Sequence, residues 1–286
     1  MSNSSPDLSR RDFFKVSAAA IAAVGVANFL KPSYAAEVNV KTVALSNLPK
    51  DPVEVAKSSE LVQKAWDYLL GEINSLHDLA LREKVLSFYQ NTVPTFMELH
   101  QGKASISKVY QQLLQENLVD PALTDEAHLF PPLKDLNTNP QPFFSAPGSG
   151  YGSHHAYPGG LATHTAVNVE ITKSILGTYS HIMDYEYGYD MAVAGQLLHD
   201  LAKPWVFQWN KDGSCLKEYT IAGTGAHHIF SIAESIYRGM PSDKIVAQAC
   251  AHNHPGTPKD EELVVGWIKA ASILASVDPI ERGLLD

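Results

Sequence analysis

An all-α fold, a helical bundle with accessory helices at its N-terminal end and one short β-hairpin, follows from three observations. Apolar residues recur near helical spacing through most of the chain. Only one short stretch, residues 205–221, alternates in the manner of paired strands. The histidine-bearing stretches of the C-terminal half lie about one helix and a turn apart. With 286 residues, 45% of them hydrophobic, the chain is long enough to bury one substantial core. No internal repeat or long low-complexity tract interrupts it.

Residues 1–35 read as an address and not as part of the fold. Ser9-Arg10-Arg11-Asp12-Phe13-Phe14-Lys15 is followed by a mild, Ala- and Gly-rich apolar run from Val16 to Leu30, then Lys31 and a small-x-small cleavage site at Ser33-Tyr34-Ala35. The segment resembles the twin-arginine export signal, Phe14 standing where that pattern has Leu. The resemblance implies handling by the twin-arginine translocation machinery and a periplasmic or otherwise exported protein. The apolar run is too short and weak for a comfortable span, so no stable membrane span is expected after cleavage. Export by this route moves folded protein, so a metal can be loaded before zinc and copper compete for it outside. Cys215 and Cys250 are too few for a disulfide framework and read as buried thiols.

Residues 36–52 form a linker. The N-terminal helical region, 53–118, carries a helical pattern from Pro52 to about Asn91, with Gly71 as its expected interruption, and a second helix over about 105–118. His77 and His100 in this region read as packing or surface residues. Residues 119–152 are a Pro-rich loop without periodicity, of a length usually tied to function. The domain 153–286 holds the chemistry. One helix starts near Gly160 and carries His164. The next starts at about Asp190, a good N-cap, and runs to Lys203, where Pro204 stops it. A hairpin turning at Asn210-Lys211-Asp212-Gly213 comes next. Helices follow over about 226–239 and 242–253, the latter N-capped by Ser242. The last runs from about 260 to Asp278.

Nine of the twelve histidines fall between residues 154 and 254, a clustering no structural core needs. His164, the doublet His199-Asp200, His228, His252 and Asp278 follow one another at intervals of 35, 28, 24 and 26 residues, counted from Asp200 onward after the first. Imidazole and carboxylate together suit Fe, Mn, Zn, Co or Ni. An adjacent His-Asp pair lets one carboxylate bridge two ions. The formal charge is −9, and loss of residues 1–35 removes a further net +2 to leave about −11. With no basic patch and no aromatic-basic interleaving, nucleic acid is not an expected partner.

Leu197-Leu198-His199-Asp200-Leu201-Ala202-Lys203, within the order His…His-Asp…His…His…Asp, resembles the HD superfamily of metal-dependent phosphohydrolases. His154-His155-Ala156-Tyr157-Pro158-Gly159-Gly160-Leu161-Ala162-Thr163-His164-Thr165 is similar to the opening of the HD domain of bacterial 3′–5′ exoribonucleases. The resemblance covers about residues 153–281. It implies two divalent transition-metal ions held by His164, His199, Asp200, His228, His252 and Asp278, with Asp200 as the bridge. It also implies an anion contact at Lys203, and His154, His155 or His227 as proton donor to a leaving group. His227 stands as an alternative to His228, and His254 to His252. Where some relatives place a Glu for a third metal this chain has Gly160, so two ions are expected. The function implied is an exported phosphohydrolase acting on a small-molecule phosphomonoester or phosphodiester, nucleotides included. Two alternatives share the ligand order: a di-iron oxygenase related to myo-inositol oxygenase, and a non-catalytic metal-binding or sensor protein.

Overall fold

The computed structural model describes residues 43–150 and 153–286. The export signal and residues 36–42 of the linker lie outside the described residues. The chain divides into Met1–Leu48 and Pro49–Asp286. The first contributes one described 3₁₀ turn, Leu45–Asn47. The second is all-α: among the described residues it has ten α-helices and one two-stranded antiparallel sheet.

The N-terminal helical pattern resolves into α1 (Pro52–Ser58), α2 (Glu60–Ser75) and α3 (Leu79–Gln90). Each starts where a side chain caps orphan backbone amides: Asp51 accepts from Val53 and Glu54, Ser59 from Val62, and Asp78 from Ala80 and Leu81. The breaks therefore fall at Ser59 and at residues 76–78. Gly71, the expected interruption, sits inside α2 facing open space. α4 covers Lys103–Gln115.

Among its described residues the Pro-rich loop holds only two 3₁₀ turns, Glu126–His128 and Phe143–Ser145, yet it is part of the core. Phe143 stacks on Tyr89 at 4.2 Å between ring centroids, and Phe130 on Trp205 at 6.1 Å. The Trp205 indole donates to the Pro132 carbonyl at 3.3 Å.

α5 (Gly160–Met183) is longer than its apolar pattern implied. α6 spans Tyr189–Leu198, and a turn over 199–202 leads into a short α7, Lys203–Val206. The expected single helix to Lys203 is thus two. Pro204 sits in the first turn of α7, where its missing N–H costs nothing, instead of ending a helix. Asp190 is not the N-cap. It lies within α6 and accepts from His77 N, Asp78 N and His77 Nδ1, tying α6 to the turn before α3.

The hairpin also differs. Its expected turn closes a single bridge, Trp209 with Cys215. The true ladder pairs β1 (Thr220–Ile221) with β2 (Thr224–Gly225) around Ala222-Gly223, both at positive φ as a primed two-residue turn requires. Alanine seldom adopts that conformation, which is why the sequence carried no signal for it.

α8 (Ala226–Tyr237), α9 (Ser242–Cys250) and α10 (Pro258–Leu274) complete the chain. Ser242 is the first residue of α9 and not its cap, and its hydroxyl donates to the Arg282 carbonyl. α6 packs on α5 and α9, α2 on α5, and α8 on α10. The C-terminal end of α6 therefore lies among the helices that carry the remaining histidines.

Candidate metal centre

The backbone after α6 is buried and tied down by hydrogen bonds. Leu201 N bonds Leu198 O at 3.2 Å, Lys203 N bonds Asp200 O at 3.0 Å, and Ala202 N bonds Ser231 Oγ on α8 at 3.0 Å. Gln248 of α9 donates to Leu198 O at 2.8 Å. This turn carries His199 and Asp200, both buried. His199 Nδ1 donates to Gln196 O at 2.6 Å, which leaves the lone pair on Nε2 facing inward.

Asp200 is the hub. Its Oδ2 lies 3.0 Å from His199 Nε2 and 3.2 Å from His164 Nε2, the latter projecting from the first turns of α5. Its Oδ1 lies 3.3 Å from His227 Nε2 and 3.6 Å from His252 Nε2, supplied by the start of α8 and the residue pair after α9. The donor atoms fall into two metal-competent groups that share one residue: His164, His199 and Asp200, and Asp200, His227, His228 and His252. Asp200 Oδ1 and His227 Nε2 are buried without a hydrogen-bond partner, while the Lys203 ammonium stands 2.6 Å from the buried Asp200 Oδ2. Buried polar atoms are rarely left so, and this donor set fits cations of the Fe, Mn, Zn, Co and Ni class.

The electrostatics suit the same occupants. Burial alone would raise the Asp200 carboxyl, but His199 and Lys203 beside it hold it well below the usual carboxylate range. Burial pushes the His252 imidazole down to about 3, and pushes His164 and His228 down as well, so all three are neutral ligands near pH 7. His227 is the exception. Burial opposes its charge, yet Glu218 and Asp200 carry its pKa upward. The field that favours a proton on its Nε2 equally favours a metal cation there.

Glu218 was not singled out from the sequence. Its carboxylate takes both the His227 Nδ1 proton and the His227 backbone N–H, the latter at 3.0 Å, so it orients the ring and caps the start of α8 together. Gly225 makes this close fit feasible, since a Cβ there would stand 2.7 Å from both Glu218 carboxylate oxygens. A Gly-x-His spacing was the available signal. Thr224 Oγ1, 2.6 Å from His228 Nδ1, and the Asn168 amide, 3.1 Å from His164 Nε2, were likewise unforeseen.

Of the expected ligands, His164, His199, Asp200, His228 and His252 come together, and His227 joins them beside His228 instead of replacing it. His254 is exposed and belongs to neither group. Asp278 is a correction. α10 ends at Leu274, Ser276 adopts positive φ, and Val277 N returns to Ser272 O, so the chain leaves the helix before Asp278. Asp278 is exposed, and its Oδ1 accepts from Ile280 N at 2.8 Å and Glu281 N at 3.0 Å. It caps a turn.

Lys203 is buried, its Nζ 2.6 Å from Asp200 Oδ2 and donating to the Gly148 carbonyl. It lines a cavity of about 580 Å³ together with Ser149, His154, Phe207 and Lys217 and the histidines His164, His227, His228 and His252. His155 does not itself line the cavity, and its ring lies 5.3 Å from that of His164. Cys215 and Cys250 are free thiols. His77 pairs with Asp190 and His100 with the Leu274 carbonyl, as packing residues do.

Residues 7–27 match the family of TAT (twin-arginine translocation) pathway signal sequences. The chain therefore carries a twin-arginine signal and is exported by that route. No helix among the described residues is long and apolar enough to cross a membrane. Over 114 residues the chain is 30% identical to a dihydroneopterin 2′,3′-cyclic phosphate phosphodiesterase of Methanocaldococcus jannaschii. That match covers 39% of this chain and 45% of the relative, so the chain spans less than half of that protein. No solved structure matches the chain significantly.

Proposed function

We propose that this exported protein is a metal-dependent phosphohydrolase that cleaves phosphoesters, phosphodiesters foremost, at a binuclear centre bridged by Asp200. The observation that carries this reading is the buried Asp200 carboxylate, whose two oxygens each face a separate set of imidazoles. The partial likeness to a cyclic-phosphate phosphodiesterase supports the reaction class. His164 and His199 would hold one ion, and His227, His228 and His252 the other.

When bound, such ions supply Lewis acidity at the phosphoryl group and lower the pKa of water. The protein's own residues do the rest. Lys203, anchored by Gly148 O and Asp200, presents a fixed ammonium to the cavity that offsets charge building on a phosphoryl oxygen. Glu218 keeps the His227 proton on Nδ1, so His227 serves as a ligand and not as the proton donor to the leaving group. The cavity admits a nucleotide-sized ester, with the Phe207 ring on its wall for an apolar or aromatic leaving group.

The test is hydrolysis under argon by the mature protein loaded with Mn, Co or Fe, on a panel of phosphomonoesters, linear phosphodiesters and 2′,3′-cyclic phosphates. The expected result is turnover without oxygen, highest on diesters. Turnover that needs iron and consumes O₂, with no anaerobic hydrolysis on the panel, would replace this reading with the oxygenase one. Metal uptake with neither activity would favour a binding protein.

A further inference from the structure

The motif His154-His155-Ala156-Tyr157-Pro158-Gly159-Gly160 leads into α5 without contributing to either group that shares Asp200. We propose that His154 and His155 form a further metal site at the cavity rim beside His164, suited to a borderline divalent ion such as Zn(II), Co(II), Ni(II) or Cu(II).

Three observations carry this. Donor nitrogens of His154, His155 and His164 lie within 4.8 Å of one another. The Nδ1 atoms of His154 and His155 face each other at 2.9 Å. Two imidazole nitrogens bound about 2.0–2.1 Å from one ion lie about 2.9 Å apart at a right angle and about 3.4 Å apart at the tetrahedral angle. The pair thus stands at coordination distance, bridged in the metal-free form by a single proton that an ion would displace.

The third observation is the backbone. His155 sits at φ +58°, a left-handed conformation that costs a non-glycine residue free energy and persists only where neighbours impose it. Here they do. The His155 carbonyl accepts from Gly148 N and Tyr157 N, both at 2.9 Å. A Cβ on Gly160 would lie 1.8 Å from that oxygen, and one on Gly148 would lie 2.7 Å from His155 Cβ. The Tyr157 hydroxyl meets Thr163 Oγ1 at 2.7 Å, locking the loop to α5 beside His164. The two glycines and the strained histidine make one arrangement, and what it presents is a pair of imidazoles against His164.

The rim set contains no carboxylate, so it favours nitrogen-seeking ions over Mg or Ca and binds more weakly than the groups built on Asp200. A neutral His164 has one lone pair, which its Nε2 turns toward the inner group, so a rim ion would be held by His154 and His155 with water completing its shell, one side chain from the inner centre. The rim is therefore an exchangeable site that samples metal outside the cytoplasm.

The experiment is an anaerobic titration of the mature protein with Zn(II), after dialysis has left only tightly held ions, read by calorimetry and elemental analysis. Wild type should take one additional equivalent. The His154→Ala/His155→Ala protein should take none while keeping its tightly held ions and helical circular dichroism. His155→Gln, which keeps the loop filled, should lose the same equivalent if the double variant folds poorly. Cu(II) added as a second probe should give an electron-paramagnetic spectrum with coupling to imidazole nitrogens in wild type alone. Absence of an additional equivalent in wild type, or its retention in both variants, would overturn the proposal. The readout is stoichiometry and not turnover, so the rim site stands or falls separately from the phosphohydrolase reading.

Discussion

Lys203 and Glu218 divide the work around Asp200, and substitutions separate their roles. Lys203→Ala removes an ammonium that stands 2.6 Å from the hub carboxylate and faces the cavity. It should retain metal and lower kcat on a diester by about 10²–10³-fold, the range for loss of one electrostatic stabiliser. A decrease confined to KM would mean that Lys203 only binds the ground state. Glu218→Gln keeps the size of the side chain but breaks the charge-assisted bond to His227 Nδ1. It should weaken metal affinity by about 10–100-fold, measured by competition with a chromophoric chelator. Unchanged affinity would remove Glu218 from the centre. His199, Asp200, His164 and His252 were legible because each occupies an ordered place relative to a helix. Glu218 was not legible: it reaches His227 from the irregular chain before β1, and no periodicity marks such a residue.

At the scale of elements, the glycines before α5 and the end of α10 show what pattern reading reaches and where it stops. The helix bearing His164 was placed at its true start because Gly159-Gly160 precedes an apolar run. The reason for Gly160, a carbonyl where its side chain would be, exists only in three dimensions. Gly160→Ala should therefore destabilise the fold by about 2–3 kcal/mol, as overpacking does. That amounts to a fall of roughly 4–12 °C in Tm for a chain of this size, read by thermal denaturation. A neutral result would mean that the loop relaxes freely. Asp278 was misread for the converse reason. Its spacing suits a ligand on a continuing helix, but the left-handed turn at Ser276 ends α10 first, and no glycine or asparagine announced that turn. Splitting of the helix at His199-Asp200 was likewise hidden, since Pro204 serves equally as a stop or as the first turn of a new helix.

For the molecule as a whole, the burial that makes the histidines ligands also sets an acid limit. His100, His164 and His252 have pKa values lowered by burial, His252 to about 3, against about 6.5 in an unfolded chain. Below pH 6.5 the unfolded chain binds more protons than the folded one. The stability from these groups is therefore complete above about pH 6.5 and lost as pH falls toward 3, by up to about 1.4 kcal/mol per pH unit for each histidine. Glu234 acts in the opposite sense: burial raises its pKa, so its contribution is present at low pH and fades as pH rises through the raised value. His227 adds the opposite slope above pH 6.5, because, against burial, Glu218 and Asp200 raise its pKa and its contribution is lost as pH rises through the raised value. Urea denaturation of the metal-free protein should show a steep decline below pH 6.5. A flat profile from pH 7 to 5 would contradict this burial.

A binuclear centre here requires one carboxylate, Asp200, to serve two ions, and metal content tests that most directly. Mature protein, purified anaerobically and dialysed against metal-free buffer, should retain close to two transition-metal ions per chain, while folded Asp200→Ala should retain almost none because both groups lose their shared ligand. A wild type holding one ion or fewer, or an Asp200→Ala protein still holding two, would contradict the binuclear centre.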